Sequence, residues 1–184
     1  MKFFLMKAHN GIDMNLIAYL LPNICYRSDA CPHGLGGYSN EGWAWRWYLP
    51  EDLLFRASNN LLEHLASIIT PWVDILNGRL KKGDCSLSMT DSTTSEGWSR
   101  NTNFSETGED PIEASIRIEV ARKHAINFLE AGIKDYSQWF PGVENQVAYA
   151  LSLGTMTEVT LNSPKFFESI VLNRYQNTSK KFLY

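Results

Sequence analysis

The alternation of apolar and polar positions lays out the chain before any chemistry is considered. Residues 24–39, ICYRSDACPHGLGGYS, read as a strand that turns through Cys31-Pro32-His33-Gly34 and pairs back on itself. On an extended chain Ile24, Tyr26 and Ser28 share one side, and Cys25, Arg27 and Asp29 the other. A third strand is predicted over 42–50, where Trp43, Trp45, Trp47 and Leu49 alternate with Ala44, Arg46 and Tyr48. A tryptophan stripe can stack on nucleic-acid bases, but at strand spacing it predicts a core face. Ser58 reads as the N-cap of a helix running from Asn59 towards Leu76. Leu61, Leu65, Ile68, Trp72 and Leu76 keep helical spacing there, and Leu62, Ile69 and Val73 widen the stripe. Pro71 predicts either a kink or the start of a second helix, and Asn77-Gly78 a stop.

The second half alternates between strands and helices. Over 85–91, Cys85, Leu87 and Met89 alternate with Ser86, Ser88 and Thr90, and the strand ends on Asp91. Thr93 and Glu96 have capping-box spacing, which predicts a short helix within two residues of Asp91. A polar loop over 101–110 leads to a helix over 111–131, with Pro111 in its first turn and Gly132 beyond its end. Ala114, Ile118, Ala121, Ala125, Phe128 and Leu129 are expected to face inward. Arg117, Arg122 and Lys123 are then left towards solvent, either as an ordinary charged face or as a phosphate-contacting strip. A strand at 136–140, the turn Pro141-Gly142 and a helix over 144–153 follow.

This order predicts an α/β mixed sheet of five strands flanked by helices: three antiparallel strands, then two joined in parallel. The first strand should be central, with the fourth beside it. The organisation expected is a leader over 1–21, a principal domain over 22–153 and a divergent polar tail over 154–184. The leader reads as a short helix stopped near Asn10-Gly11, then an apolar segment ended by Pro22. The tail is rich in Thr, Ser and Asn, with one short amphipathic piece from Ser163-Pro164.

Composition narrows the class. A chain of 184 residues, 44% hydrophobic and 12% aromatic, has material for one real core, so disorder is not expected. The net charge of −3 argues against nucleic-acid binding through bulk charge, while leaving room for a local basic strip. The three cysteines have no CxxC spacing, which speaks against a zinc site or disulfide framework and for a reducing, intracellular setting, cytoplasm or nucleus. The apolar run Phe3–Met6 is broken by Lys7, too short for a signal-peptide core, and no stretch is long enough to span a membrane.

Against that outline two strand-end acids stand out. Asp29 alone reads as a solvated acid at a hairpin corner, and Glu63 alone as a glutamate at the margin of an apolar stripe. An acid at the end of a buried strand is costly unless hydrogen-bonded, paired or cation-bound. Asp91 repeats the arrangement of Asp29, and Glu63 lies on the helix between them. Two strand-end aspartates and a helical glutamate are enough for a divalent metal site.

Four segments in order, SDACPHGLGGYS, NNLLEHLA, SMTDSTTSEGW and WFPGVENQVAYALS, resemble the ribonuclease H domain of retroelement (retrotransposon-type) reverse transcriptases over residues 22–153. Transposases and integrases of similar fold usually place the glutamate after both aspartates; here Glu63 lies between them. The resemblance implies a ribonuclease H-like fold and two-metal endonucleolytic hydrolysis of the RNA strand of RNA–DNA hybrids. It implies two Mg2+ ions, for which Mn2+ can substitute, with Asp29 bridging both. Glu63 and Asp91 match the ligands of the ion on the leaving-group side.

The chain also departs from the pattern. Tyr149 stands at the position of the fourth carboxylate, Leu153 where an arginine is expected, and 141–146 lack the family's histidine. The leader resembles the connection to a polymerase domain, and no paired-aspartate polymerase motif is present, which makes that domain a separate or lost partner. Two outcomes stay open: an impaired hybrid nuclease, or a degenerate, catalytically dead remnant that keeps only the fold or weak nucleic-acid binding.

Overall fold

The computed structural model describes residues 20–50, 57–100 and 110–155. The expectations for the leader, for most of the 101–110 loop and for the tail lie outside these. The element order is β1 (Ile24–Cys31), β2 (Gly34–Ser39), β3 (Ala44–Tyr48), α1 (Asn59–Leu76), β4 (Cys85–Thr90), α2 (Thr93–Arg100), α3 (Pro111–Ala131), β5 (Lys134–Trp139), a 3-10 turn (Gly142–Glu144) and α4 (Gln146–Leu153). The five strands form one sheet in the order β3-β2-β1-β4-β5. Pairing is antiparallel among β1, β2 and β3, and parallel for β1–β4 and β4–β5. The expected mixed sheet, with its central first strand, is therefore observed.

The tryptophan stripe of β3 is core: Trp45 and Trp47 are buried against α1 and its neighbours. The Trp45 Nε1–H donates to Thr70 Oγ1 at 3.1 Å, and that hydroxyl donates to the Ala66 carbonyl. The same helix face meets β2 at Gly37, where a Cβ would stand 2.3 Å from Thr70 Oγ1. On the opposite face of β2, a Cβ at Gly36 would stand 2.6 Å from the Leu151 Cβ of α4. The bare backbone of GLGGYS thus lets helices close on the central hairpin from both sides.

Ser58 caps α1 as expected, accepting from Leu61 N. Pro71 neither ends the helix nor starts a second one; α1 is assigned unbroken through it, with the proline buried in the core. At the other end of α1, Asp74 is buried and accepts from Tyr26 Oη at 2.6 Å, Trp43 Nε1 at 3.1 Å and Arg79 Nη1 at 3.3 Å. Burial and this carboxylate push the Tyr26 phenol far above its ordinary range, so it remains a donor. At α2 the cap is Ser92, one residue before the expected Thr93: Ser92 Oγ accepts from Ser95 N, and Glu96 pairs with Arg100 instead of reaching back.

The bounds of α3 agree with the sequence reading, but its face agrees only in part: of the residues expected inward, Ala121 and Phe128 are buried. Glu113, Ile116, Arg117, Val120, Ala121 and Phe128 are buried, while Ile118, Ala125 and Leu129 are exposed. The helix carries two apolar stripes, and periodicity cannot choose between them. The stripe flanked by polar residues won because those residues find partners inside. Glu113 accepts from Ser58 N and Oγ at 2.5 and 2.6 Å, and the Arg117 guanidinium lies 4.8 Å from the Trp98 ring centroid. Similarly, the inner face of β4 is its hydroxyl face: Ser86 and Ser88 both donate to Asp135 on β5.

Among the described residues, no helix is long and apolar enough to cross a membrane.

Candidate metal centre

The parallel register of β1 and β4 runs from Ile24↔Ser86 to Arg27↔Met89 and then stops. Two residues further on, Asp29 and Asp91 stand where the strands part, the place at which open α/β sheets present ligands. Glu63 reaches the same point from α1. Its Oε1 accepts from Ala30 N at 3.3 Å, and its Oε2 is buried with no hydrogen-bond partner among the described residues. One carboxylate oxygen from each of Asp29, Glu63 and Asp91 lies within 4.8 Å of the others. Asp29 and Glu63 are each only 6% exposed, and Asp91 is half-buried.

Among the described residues, no lysine, arginine or histidine forms an ion pair with any of the three. Burial pushes the Asp29 carboxyl up to about 6; the Ser152 hydrogen bond opposes this, and the charge of Asp91 adds to it. Burial, then the charges of Asp29 and Asp91, push Glu63 up to about 8. An all-oxygen donor set with an orphaned buried oxygen and mutual repulsion fits a hard divalent cation.

These shifts predict a pH dependence without divalent ions. Groups whose folded pKa exceeds the unfolded value contribute stability that is complete below the unfolded value and lost as pH rises through the folded one. For Asp29 and Glu63 the windows run from 3.8 to about 6 and from 4.5 to about 8. In EDTA, Glu63→Gln should therefore melt above the unaltered chain at pH 8, with the difference vanishing near pH 4. A Glu63→Gln protein that melts lower at pH 8 would contradict the repulsive cluster.

The loop between β5 and α4 closes the site from the other side. A Cβ at Gly142 would stand 2.8 Å from Asp91 Oδ2, so only glycine allows this approach without a shift. Trp139 Nε1 donates to the Asp91 carbonyl at 3.0 Å. Arg27 Nη1 donates to the Glu144 carbonyl at 3.0 Å and stacks over Phe140, and Asn145 Nδ2 donates to the Ser28 carbonyl at 2.9 Å. From α4, the Ser152 hydroxyl donates to Asp29 Oδ2 at 2.5 Å. The sequence reading gave no role at the site to Ser152, Asn145, Gly142 or Arg27. The first three lie in WFPGVENQVAYALS, but only tertiary contacts reveal what they touch.

Tyr149 is exposed, one turn before Ser152, and is not part of the carboxylate cluster; its carbonyl lies 2.9 Å from the Ser152 hydroxyl. The expected basic strip is broken. Arg117 is 1% exposed and faces the core, whereas Arg122 is exposed and Lys123 lies 3.9 Å from Glu119. A guanidinium buried against Trp98 cannot meet a phosphate from that position.

A second polar cluster lies between the sheet and helices α1 and α3, around a cavity of about 230 Å³ lined by His64, Ser67, Ser88, His124, Asp135 and Ser137, with apolar neighbours. His124 Nδ1 accepts from Trp72 Nε1 at 3.0 Å, and its Nε2 faces Asp135 Oδ2 at 3.3 Å. Both ring nitrogens are thus engaged, which leaves none to activate a serine. Burial lowers the His64 imidazole to about 3, so it is neutral.

No protein-family model matches this chain, and no curated protein matches it. Its fold is that of ribonuclease H domains. The ribonuclease H1 of the halophilic archaeon Halobacterium salinarum aligns over 72% of this chain and 98% of its own, with 20% identity and a TM-score of 0.51. The N-terminal ribonuclease H domain of a Mycobacterium tuberculosis protein, solved as a fusion with maltose-binding protein, covers 72% of this chain and 92% of its own (15% identity, TM-score 0.52). LC11 ribonuclease H1, in complex with an RNA/DNA hybrid, covers 70% and 93% (17% identity, TM-score 0.52).

Proposed function

We propose that this chain is a metal-dependent nuclease of the ribonuclease H type that hydrolyses the RNA strand of RNA–DNA hybrids, in the context of a retroelement reverse transcriptase. The observation that carries the reading is the convergence of Asp29, Glu63 and Asp91 within 4.8 Å, the first two buried and the third half-buried, with no cationic side chain paired to them among the described residues. The fold supports it, and so does the solved relative bound to an RNA/DNA hybrid. The retroelement context rests on the four sequence segments, and the choice of Mg2+ on the all-oxygen donor set. Divalent ions held there would supply charge neutralisation at the phosphodiester and a more acidic water.

The residues of the chain have separate parts in this. Asp29, Glu63 and Asp91 hold the ions, with Asp29 placed between the other strand-end acid and α4. Arg27 and Asn145 hold the β5–α4 loop against β1. Gly142 lets that loop seat on Asp91. The reading is tested by titrating Mg2+ and Mn2+ into cleavage of an end-labelled RNA–DNA hybrid, with single-stranded RNA as control. Hybrid-specific, metal-dependent cleavage, very weak in Mg2+ and detectable in Mn2+, is the expected result, and none in either metal would overturn it.

The alternative, a catalytically dead remnant, is favoured by one observation. The sequence of α4, QVAYALSL, has no acid, so no fourth carboxylate comes from this helix. On that reading the hybrid binds without being cut.

Binding in either case should follow shape and 2′-hydroxyls, not base sequence. Arg122→Ala with Lys123→Ala should lower the slope of log affinity against log salt by up to about 2, since each phosphate contact contributes close to one unit. Arg117→Ala should instead lower the melting temperature by several degrees, through loss of a desolvated cation–π contact of about 2 kcal/mol. An unaltered salt slope in the double variant would reduce Arg122 and Lys123 to a solvated face.

A further inference from the structure

We propose that Ser152 is a positioning residue for the metal centre, holding the Asp29 carboxylate in place for the cation; this rests on the metal-dependent reading above. Two buried acids and a half-buried one repel one another, and an untethered Asp29 side chain would turn away from Glu63 and Asp91. Its tether is the Ser152 hydroxyl, 2.5 Å from Asp29 Oδ2. That hydroxyl sits on a rigid seat. Ser152 is 1% exposed, and its carbonyl accepts from Cys31 Sγ at 3.3 Å.

The seat is built from β2 glycines. A Cβ at Gly34 would stand 2.8 Å from the Ser152 carbonyl oxygen, and one at Gly36 would stand 2.8 Å from the Ser152 nitrogen. Gly36 is the cross-strand partner of Asp29, and Gly34 that of Cys31. The glycines that let α4 approach the hairpin are therefore those that bring its hydroxyl to the acid. In this chain α4 acts on the cluster through a hydroxyl on Asp29, with no carboxylate of its own. The hydroxyl also lies 2.9 Å from the Tyr149 carbonyl, a local contact that serine makes in many helices. A hydroxyl has one proton, so that contact competes with Asp29 and supplies the purely structural alternative.

The test is calorimetric titration of the whole chain with MgCl2 and MnCl2 in the absence of nucleic acid, with thermal unfolding in EDTA run in parallel. Ser152→Ala is expected to bind both ions ten- to a hundredfold more weakly than the unaltered chain, the usual range for loss of a group that orients a metal ligand. Ser152→Cys, close in size and a weaker donor, should fall between the two. Unchanged ion affinity in Ser152→Ala, whatever happens to its melting temperature, would overturn the proposal and leave Ser152 a helix contact. Should Ser152→Ala not fold, Ser152→Cys decides in the same way: weaker binding supports the proposal and equal binding overturns it. If the unaltered chain binds neither ion, the metal-dependent reading itself fails and this inference falls with it.

Discussion

Asp29→Asn is expected to remove all metal-dependent cleavage of an RNA–DNA hybrid while leaving the protein at least as stable at neutral pH. Asp29 lies on the central strand of the sheet, and no other acid among the described residues joins the cluster it forms with Glu63 and Asp91. An amide offers the cation one neutral oxygen in place of a shared negative charge, which a magnesium site cannot readily spare. The fold should tolerate the change for the same electrostatic reason. The Asp29 carboxyl is pushed up to about 6, chiefly by burial, so its charged form is disfavoured in the folded state. The asparagine oxygen can still accept from Ser152. Cleavage of a labelled hybrid in Mg2+ and Mn2+, beside melting curves, checks both halves. Activity equal to that of the unaltered chain would refute the assignment, and a lost fold would show that Asp29 is structural.

Tyr149→Asp is expected to raise hybrid cleavage at least about tenfold in Mg2+, a change of about 1.4 kcal/mol in the barrier. The unaltered chain should be nearly inactive in Mg2+, with a trace in Mn2+. On the proposed reading, Glu63 and Asp91 would hold one ion, and a second ion would lack an acid of its own from α4. Tyr149 is exposed on α4, so the replacement should change stability by no more than about 0.5 kcal/mol. It lies three residues before Ser152, and helical residues at that spacing are surface neighbours. An acid there is thus added near the hydroxyl that already reaches Asp29. Hydrolysis depends on in-line geometry as well as charge, so even a weakly held second ion should count. Side-by-side rates on one hybrid, with Asp29→Asn as the blank, decide it. If the chain as it stands cleaves as fast as the variant, some other group holds that ion.

The sequence by itself determined what depends on neighbouring residues. Ser58 places the start of α1 and Pro111 and Gly132 the bounds of α3, because caps and prolines act through the backbone of their own turn. Period-two alternation located β3 and β4, and the order of strands and helices the mixed sheet. Asp29, Glu63 and Asp91 were legible because two strands ending on acids, with a glutamate on the helix between them, form a pattern along the chain.

Tertiary structure decided whatever required choosing between two equally good local answers. Helix α3 has two apolar stripes, and the one chosen depends on Ser58 and Trp98, partners far away in sequence. Arg117 went inward with it, which no count of charges could foretell. Ser152 became part of the site where the last helix crosses the glycine backbone of β2, and Gly142 and Asn145 where the loop before it meets Asp91 and the Ser28 carbonyl. These contacts join residues separated by as many as 123 positions. Side chains acquire such partners only after the sheet has formed, so nothing in their immediate sequence could specify them.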